Sequence, residues 1–441
     1  MSVGSGQSSH GHGPELEGIR ALARPLERAG SLDGLVDLCA PARFVCLGEA
    51  SHGTREYYHW RAVLSRRLIE EHGFTWIGVE GDWPDCWRIN RWVRGQGDQD
   101  LDARQLLAGF ERWPTWMWAN HEIATFIAWL REWNLGRPEN RRTGFYGLDV
   151  YSLWDSLREI FGWLDANAPS DVPSALRAWQ CFVPFREDPQ RYALSSRLVP
   201  QSCEADVVAL LAAVHRHTTG HVEDDPAAFD AVQNAIVAAN AERYYRTMVR
   251  GDQQSWNIRD HHMSDTIDRL ARHHGAGSKG LIWAHNTHIG DARATDMAMD
   301  GMVNIGELMR RRHHGTVALV GFASYQGSVT AARAWGSPEQ VMAVPDALPG
   351  SHEDLLHQAL EGPSTLVFGA HRDGHWLSSW RGHRAIGVVY NPQREKGNYV
   401  PTVMGRRYDA LFWVPQTSAL QPLHHEHLPQ EPELETEPSG F

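Results

Sequence analysis

Four short apolar stretches of this 441-residue chain run into ionisable residues. Phe44-Val45-Cys46-Leu47 opens into Gly48-Glu49-Ala50-Ser51-His52-Gly53, and Phe74–Val79 ends on Glu80 and Asp82. Thr143–Tyr151 carries Asp149, and Gly280–Ala284 delivers His285-Asn286-Thr287-His288. One histidine after one apolar run is more often a hydrogen-bonded structural residue than a catalyst. Several such endings on one edge are a different case, because a carboxylate beside an imidazole fixes the ring's tautomer and raises its basicity near neutral pH. The combination suits a general base that activates water.

Other chemistries fit less well. No G-x-S-x-G elbow is present; the nearest string, Ala276-Gly277-Ser278-Lys279-Gly280, precedes a strand, whereas the elbow must follow one. Ser51 and Ser324 read as loop hydrogen-bonders. No Walker-type loop and no G-x-G-x-x-G after a strand points to a nucleotide. His52, His285 and His288 with the glutamates offer ligands of the kind zinc or manganese accepts. However, H-x-x-H at a strand end is not H-E-x-x-H on a helix, so the preferred reading has no metal and no other cofactor. His261/His262, His273/His274, His313/His314 and His424/His425 adjoin charged residues and read as solvated, with His261 and His262 kept in view because Arg259 stands beside them. A fixed charge at Arg259 would suit a developing oxyanion.

These residues need a scaffold that brings strand ends together. Between the first two apolar runs, Tyr57, Trp60, Leu64, Leu68 and Glu71 recur at helical spacing, with Thr54 placed as N-cap and Gly73 as the stop. That is a βαβ unit, whose parallel strands end on one edge, where ligands bind in open α/β sheets. The expected fold is α/β: a central, mostly parallel sheet flanked by helices, with a large helical insertion or cap. Residues 1–13, rich in Gly, Ser and His, are expected to be disordered; 14–151 form the first part of the core; 152–258 form the helical cap; 259–415 complete the core; and 416–441, rich in Pro and Glu, form a disordered tail. Further strands are expected at Thr316–Phe322, Ser364–Gly369, Ile386–Tyr390 and Tyr408–Val414. Phe110, Trp113, Trp116, Trp118, Phe126, Trp129 and Trp133 crowd one segment and read mostly as core. His121 opens the next helix, capped by Asn120, where a helix start beside a sheet edge faces a pocket.

Composition sets the class. A chain that is 42% hydrophobic can bury a large core, and its net charge of -12 argues against a general affinity for nucleic acid. Its five scattered cysteines, with no C-x-x-C pair, suggest neither a disulfide framework nor a zinc-thiolate site, and a reducing cytoplasm is expected. No apolar run is long enough to span a membrane, and the N-terminus lacks a secretion pattern. Nothing in the composition points to an oligomeric state.

Four stretches, LGEASHGTREYY at 47–58, GVEGDWPD at 78–85, RDHHM at 259–263 and WAHNTHIGDA at 283–292, resemble the successive signatures of the erythromycin esterase family, in order and with similar separations. The resemblance runs from about residue 15 to 415. It implies hydrolysis of an ester or lactone, a macrolide macrolactone in the family's characterised members, by a histidine-activated water with no serine nucleophile and no metal. It places His52 on the base and Glu80 on the supporting glutamate. Glu49, Arg55, His121, Arg259, His285 and His288 fall on positions of the same cleft, Arg55, His121 and Arg259 on the substrate side together with Asp149. Relatives in this broad family include proteins labelled as succinoglycan-biosynthesis proteins. The motifs describe machinery, so the substrate is left open, and a binding homologue or a metal-dependent hydrolase would use the same cluster.

Overall fold

The computed structural model describes residues 13–185, 189–196, 202–220, 225–248, 253–372 and 374–425. The strands are β1 (Ala23–Pro25), β2 (Phe44–Leu47), β3 (Phe74–Val79), β4 (Gly144–Gly147), β5 (Lys279–Trp283), β6 (Val317–Ala332), β7 (Glu339–Val344), β8 (Ser364–Val367), β9 (Trp380–Arg384), β10 (Tyr399–Val403) and β11 (Ala410–Thr417). Nine of them form one sheet in the order β1-β8-β11-β6-β2-β5-β3-β4, with β7 beside β6; β9 and β10 form a separate hairpin. The run from β11 to β4 is parallel throughout, and β1, β7 and β8 are antiparallel additions. This is the expected α/β architecture. Its consequence is local: β2, β3, β4 and β5 are neighbours and all end on the same edge.

The strands read as unbroken apolar runs because both faces are covered. Along β2, Val45 and Leu47 enter the core on one face while Phe44 and Cys46 enter the other; Leu281 and Trp283 part from Ile282 along β5 in the same way. Helix Arg55–His72 covers the first face with Tyr57, Tyr58, Leu64 and Leu68, and helix Gln254–His273 covers the second with Met263, Ile267 and Leu270. Gly73 stops the first helix in the left-handed region at φ 71°. Thr54 stands at its N-cap position, but its hydroxyl bonds the Ser51 hydroxyl and caps nothing.

Between Leu153 and Met248 the described residues form only helices: Leu153–Asn167, Pro169–Asp171, Val172–Phe182, Val183–Phe185, Pro189–Ser196, Glu204–Thr218 and Pro226–Met248. They enclose a hydrophobic cluster of their own, from Val150 and Tyr151 through Leu157, Ile160 and Leu210 to Tyr245. Within it Cys181 and Cys203 are disulfide-bonded, their Cα atoms 5.8 Å apart. The expectation of no disulfide is corrected by that pair, and with it falls the argument from unpaired thiols for a reducing compartment. Cys39, Cys46 and Cys86 are free and buried.

Three further expectations change. Ile386–Tyr390 is not a strand; it makes only single bridges, Ile386 to Ser51 and Val389 to Ala332. The tail expected to be disordered from 416 is ordered as far as 425: β11 runs to Thr417, Ala419 bridges Thr54, Pro422 bridges Asn120, and Leu420 is buried. Residues 426–441, and 1–12 of the expected disordered start, lie outside the described residues. β6 is twice its expected length because its second half leaves the parallel core to pair with β7, a strand the sequence did not announce. No helix among the described residues is long and apolar enough to cross a membrane.

Candidate active site

The loop after β2 turns sharply into helix Arg55–His72, and it does so under close packing: a Cβ on Gly48 would lie 2.1 Å from Asn286 Oδ1, so only glycine fits. The turn brings Glu49 and His52 onto one another. His52 Nδ1 lies 3.0 Å from Glu49 Oε1, and because an ionised carboxylate can only accept, Nδ1 carries the proton and donates it. Glu49 Oε2 accepts in turn from Arg61 Nη2 at 2.8 Å. All three side chains are buried. Arg61 is further held over the rings of Tyr58 and Trp283, 4.4 and 5.1 Å from their centroids. An arginine, a glutamate and a histidine thus form a chain that fixes the imidazole and leaves Nε2 as the basic nitrogen.

The ends of β3, β4 and β5 build a second group around Arg259, one turn into helix Gln254–His273. Arg259 donates from Nε and Nη2 to the two oxygens of Asp149, at 3.0 and 2.8 Å, and from Nη2 to Glu80 Oε1 at 2.8 Å. Glu80 Oε2 accepts the backbone N–H of His285 at 2.7 Å. His288 lies with Nε2 3.3 Å from Glu80 Oε1 and Nδ1 2.9 Å from Asp260 Oδ2, its ring stacked on Trp256 at 4.5 Å. Burial works against a charged ring there, but Asp260 and Glu80 overcome it and push the His288 pKa up to about 10. Burial also favours a protonated Asp260. Asp260 Oδ1 also accepts the Ile305 N–H at 2.9 Å. Glu80 is buried too, yet His288 and Arg259 hold it well below the usual carboxylate range. Asp149, likewise buried, is kept ionised by Arg259.

The structure separates the two histidines of the β5 turn. His285 lies beside His52, ring centroids 4.8 Å apart; burial first, and then His52, hold its pKa well below the ordinary value. Its Nδ1 accepts from the Thr287 N–H at 3.3 Å and faces the Thr287 hydroxyl at 2.8 Å, so its proton sits on Nε2. His288 stands behind Glu80, with Nδ1 on Asp260 and Nε2 3.1 Å from Arg259 Nη1.

His52, Glu80, Asp82, Asp149 and Arg259 line one cleft at the carboxyl edge of the sheet. Its other wall comes from the tryptophan-rich segment, through Phe110, Arg112, Met117 and Trp118, with Tyr151 at the start of the helical region. Trp118 Nε1 donates to the Glu80 carbonyl at 3.0 Å. Arg112 pairs with Asp82 through Nε and Nη2. Asp85, at the same wall, is pushed up to about 7 by burial and by the charge of Asp82.

Not every expected residue arrives. Arg55 is exposed and pairs with Glu122 at 3.0 Å. His121 faces Arg104 at 3.2 Å, and the chain at Gln421 covers the helix start that was expected to open on a pocket. Neither lines the cleft. Arg61, Arg112, Asp260 and Trp256 were missed. Arg61 left a signal: it falls on the stripe formed by Tyr57, Leu64 and Leu68, and a charge on the buried face of a helix needs a partner.

Fold and site together define an α/β protein with a histidine, glutamate and arginine cluster at the carboxyl edge of a parallel sheet. The sequence profile described as Erythromycin esterase matches residues 69–417, and the chain belongs to that family. The match takes in Glu80, Asp149, Arg259, His285 and His288, while Glu49 and His52 precede it. Erythromycin esterase type II of Escherichia coli is 22% identical over 329 residues, covering 70% of this chain and 75% of that protein. Two solved structures share the fold. A succinoglycan biosynthesis protein is 20% identical with a TM-score of 0.73, covering 95% of this chain and 100% of the other. An erythromycin esterase mutant in its open conformation is 17% identical with a TM-score of 0.64, covering 90% and 97%. Membership suggests a hydrolase acting on a small molecule.

Proposed function

We propose that the chain is a carboxylic-ester hydrolase that opens an ester or lactone with a water activated by His52, without a serine nucleophile or a metal. The observation that carries this reading is a cleft-lining imidazole whose Nδ1 is fixed by a buried, arginine-paired glutamate. As water attacks the carbonyl carbon, its proton passes to His52 Nε2. Glu49 and the nearby charge of Glu80 stabilise the imidazolium that forms. Arg259 lines the cleft and is pinned by Asp149 and Glu80, so its charge faces the developing oxyanion without reorganising. Collapse of the tetrahedral intermediate breaks the ester C–O bond, and His52 returns the proton to the leaving alkoxide. His285, neutral and beside His52, shapes the approach; His288 holds Glu80 ionised. The metal-free reading is supported by His288, whose Nδ1 bonds Asp260 and whose Nε2 faces Arg259 Nη1 at 3.1 Å and Glu80 Oε1 at 3.3 Å. Among the described residues, no group of three or more His, Cys, Asp or Glu side chains is arranged to hold a metal ion.

A macrolide macrolactone is the proposed substrate class, by family. The test is a panel of macrolides and simpler lactones and esters followed by mass spectrometry for gain of one water, with His52→Ala and Glu80→Gln beside the wild type. A positioned base contributes about 10²–10⁴ in rate, and the His52 variant should lose that much. Hydrolysis undiminished in His52→Ala would refute the assignment, and activity abolished by chelation and restored by a metal would overturn the metal-free reading.

A further inference from the structure

Behind the active-site edge lies a second histidine and glutamate pair that the proposed chemistry does not use. His383 and Glu353 are wholly buried. His383 Nδ1 lies 2.6 Å from Glu353 Oε1, which also accepts the Arg384 N–H at 2.9 Å. Nδ1 therefore carries the proton and Nε2 is an acceptor. That acceptor faces Asn286 Nδ2 at 3.3 Å.

Asn286 is the residue between the two halves of the site. Its backbone N–H donates to the Glu49 carbonyl at 2.8 Å, tying the β5 turn to the His52 loop. Its Nδ2 donates to the Phe322 carbonyl at 2.8 Å and its Oδ1 accepts the Phe322 N–H at 3.3 Å, tying both to β6. Arg407 Nη2 holds its carbonyl at 3.1 Å. The chain just after His383 reaches the other half directly, since the Ile386 N–H donates to the Ala50 carbonyl at 2.8 Å, two residues before His52. One buried segment thus touches both the loop that carries His52 and the turn that carries His285 and His288.

We propose that the His383–Glu353 pair is a positioning unit for the hydrolytic site, acting through Asn286 and Ile386 to fix the separation between His52 and the His285–His288 turn. The pair never meets substrate. Glu353 sets the tautomer of His383, the tautomer presents an acceptor to Asn286, and Asn286 holds Glu49 and His285 in register. The unit rests on the hydrolase reading for its effect on rate, because misplacing catalytic groups by about 1 Å costs up to roughly 10²-fold.

Two variants separate positioning from simple burial of a charge. His383→Asn keeps an amide donor for Glu353 and loses the acceptor toward Asn286; His383→Gln, in a Glu353→Gln background that leaves no buried carboxylate unpaired, keeps the acceptor. Activity on the best ester of the panel and deuterium exchange of the peptide containing Asn286 are measured together. His383→Asn should lower kcat about tenfold with KM within about twofold and speed exchange at Asn286, while the His383→Gln/Glu353→Gln protein stays within about threefold of wild type in both. Equal losses in the two proteins, or wild-type kcat and exchange in His383→Asn, overturn the proposal. If wild type opens no ester, the hydrolase reading fails alone, and the exchange arm still decides whether His383 holds Asn286.

Discussion

Arg61→Leu tests the relay behind His52. Arg61 and Glu49 meet at 2.8 Å with side chains 0% and 1% exposed, so removing the arginine leaves an uncompensated carboxylate out of reach of water. Breaking a buried pair from one side costs about 3–5 kcal/mol, a large share of the roughly 5–15 kcal/mol that stabilises a folded domain. Glu49 has one escape, which is to take up a proton, and a neutral carboxyl no longer stabilises the imidazolium on His52. The substitution should therefore lower the urea midpoint and cut kcat by about 10²-fold or more. Arg61→Leu combined with Glu49→Leu should recover most of the stability, since no charge is stranded, and none of the activity. Arg61→Lys should fall between, because the ammonium keeps the charge and loses the planar contacts with Tyr58 and Trp283. Urea unfolding and steady-state kinetics on the same preparations decide the matter. An Arg61→Leu protein as stable and as active as wild type would show that Glu49 is neither ionised nor needed.

Two further outcomes follow from the structure. The His288 pKa is raised from 6.5 to about 10, so its contribution to stability is complete below the unfolded value and is lost as pH rises through about 10; urea unfolding should show wild type weakening over that window more steeply than His288→Asn, and parallel slopes would place the proton elsewhere. The Cys181–Cys203 bridge spans 22 residues, a loop whose closure is worth about 3 kcal/mol in the chain-entropy account, so Cys181→Ser/Cys203→Ser should lower the thermal midpoint of the helical region, with no change if the thiols are unpaired in solution.

The site was legible in the sequence where chemistry sits at the ends of parallel strands. β2 and β3 are bounded as their apolar runs suggest, and the runs are apolar nearly throughout because both faces are buried. Once the strands are parallel, Glu49, Glu80, Asp149 and His285 must share an edge, so their meeting needed no contact information. What the sequence hid lies on helices and in return segments. Arg61, Asp260 and Trp256 act across the fold on residues from 12 to about thirty positions away, and Asn286 meets His383 97 positions away; only packing reveals such pairs. Arg55 and His121 fall outside the cleft lining for the opposite reason. Arg55 lies inside a motif and His121 at a helix start, and neither position gives a side chain's direction: Arg55, one residue after the Thr54 cap position, points to solvent, while Arg61, two turns on, faces the core.

This division has a mechanistic consequence. In the proposed mechanism a strand end supplies the base, His52, whereas the helices supply the oxyanion partner, Arg259, and brace the rest: Arg61 bonds Glu49, Arg259 bonds Glu80 and Asp149, and Asp260 bonds His288. Losing a strand-end group removes a step. Losing a bracing group leaves the step in place in the wrong protonation state, which a change of pH can partly repair. Variants of His52 should therefore stay inactive at every pH, while variants of Asp260 should shift the pH at which activity peaks.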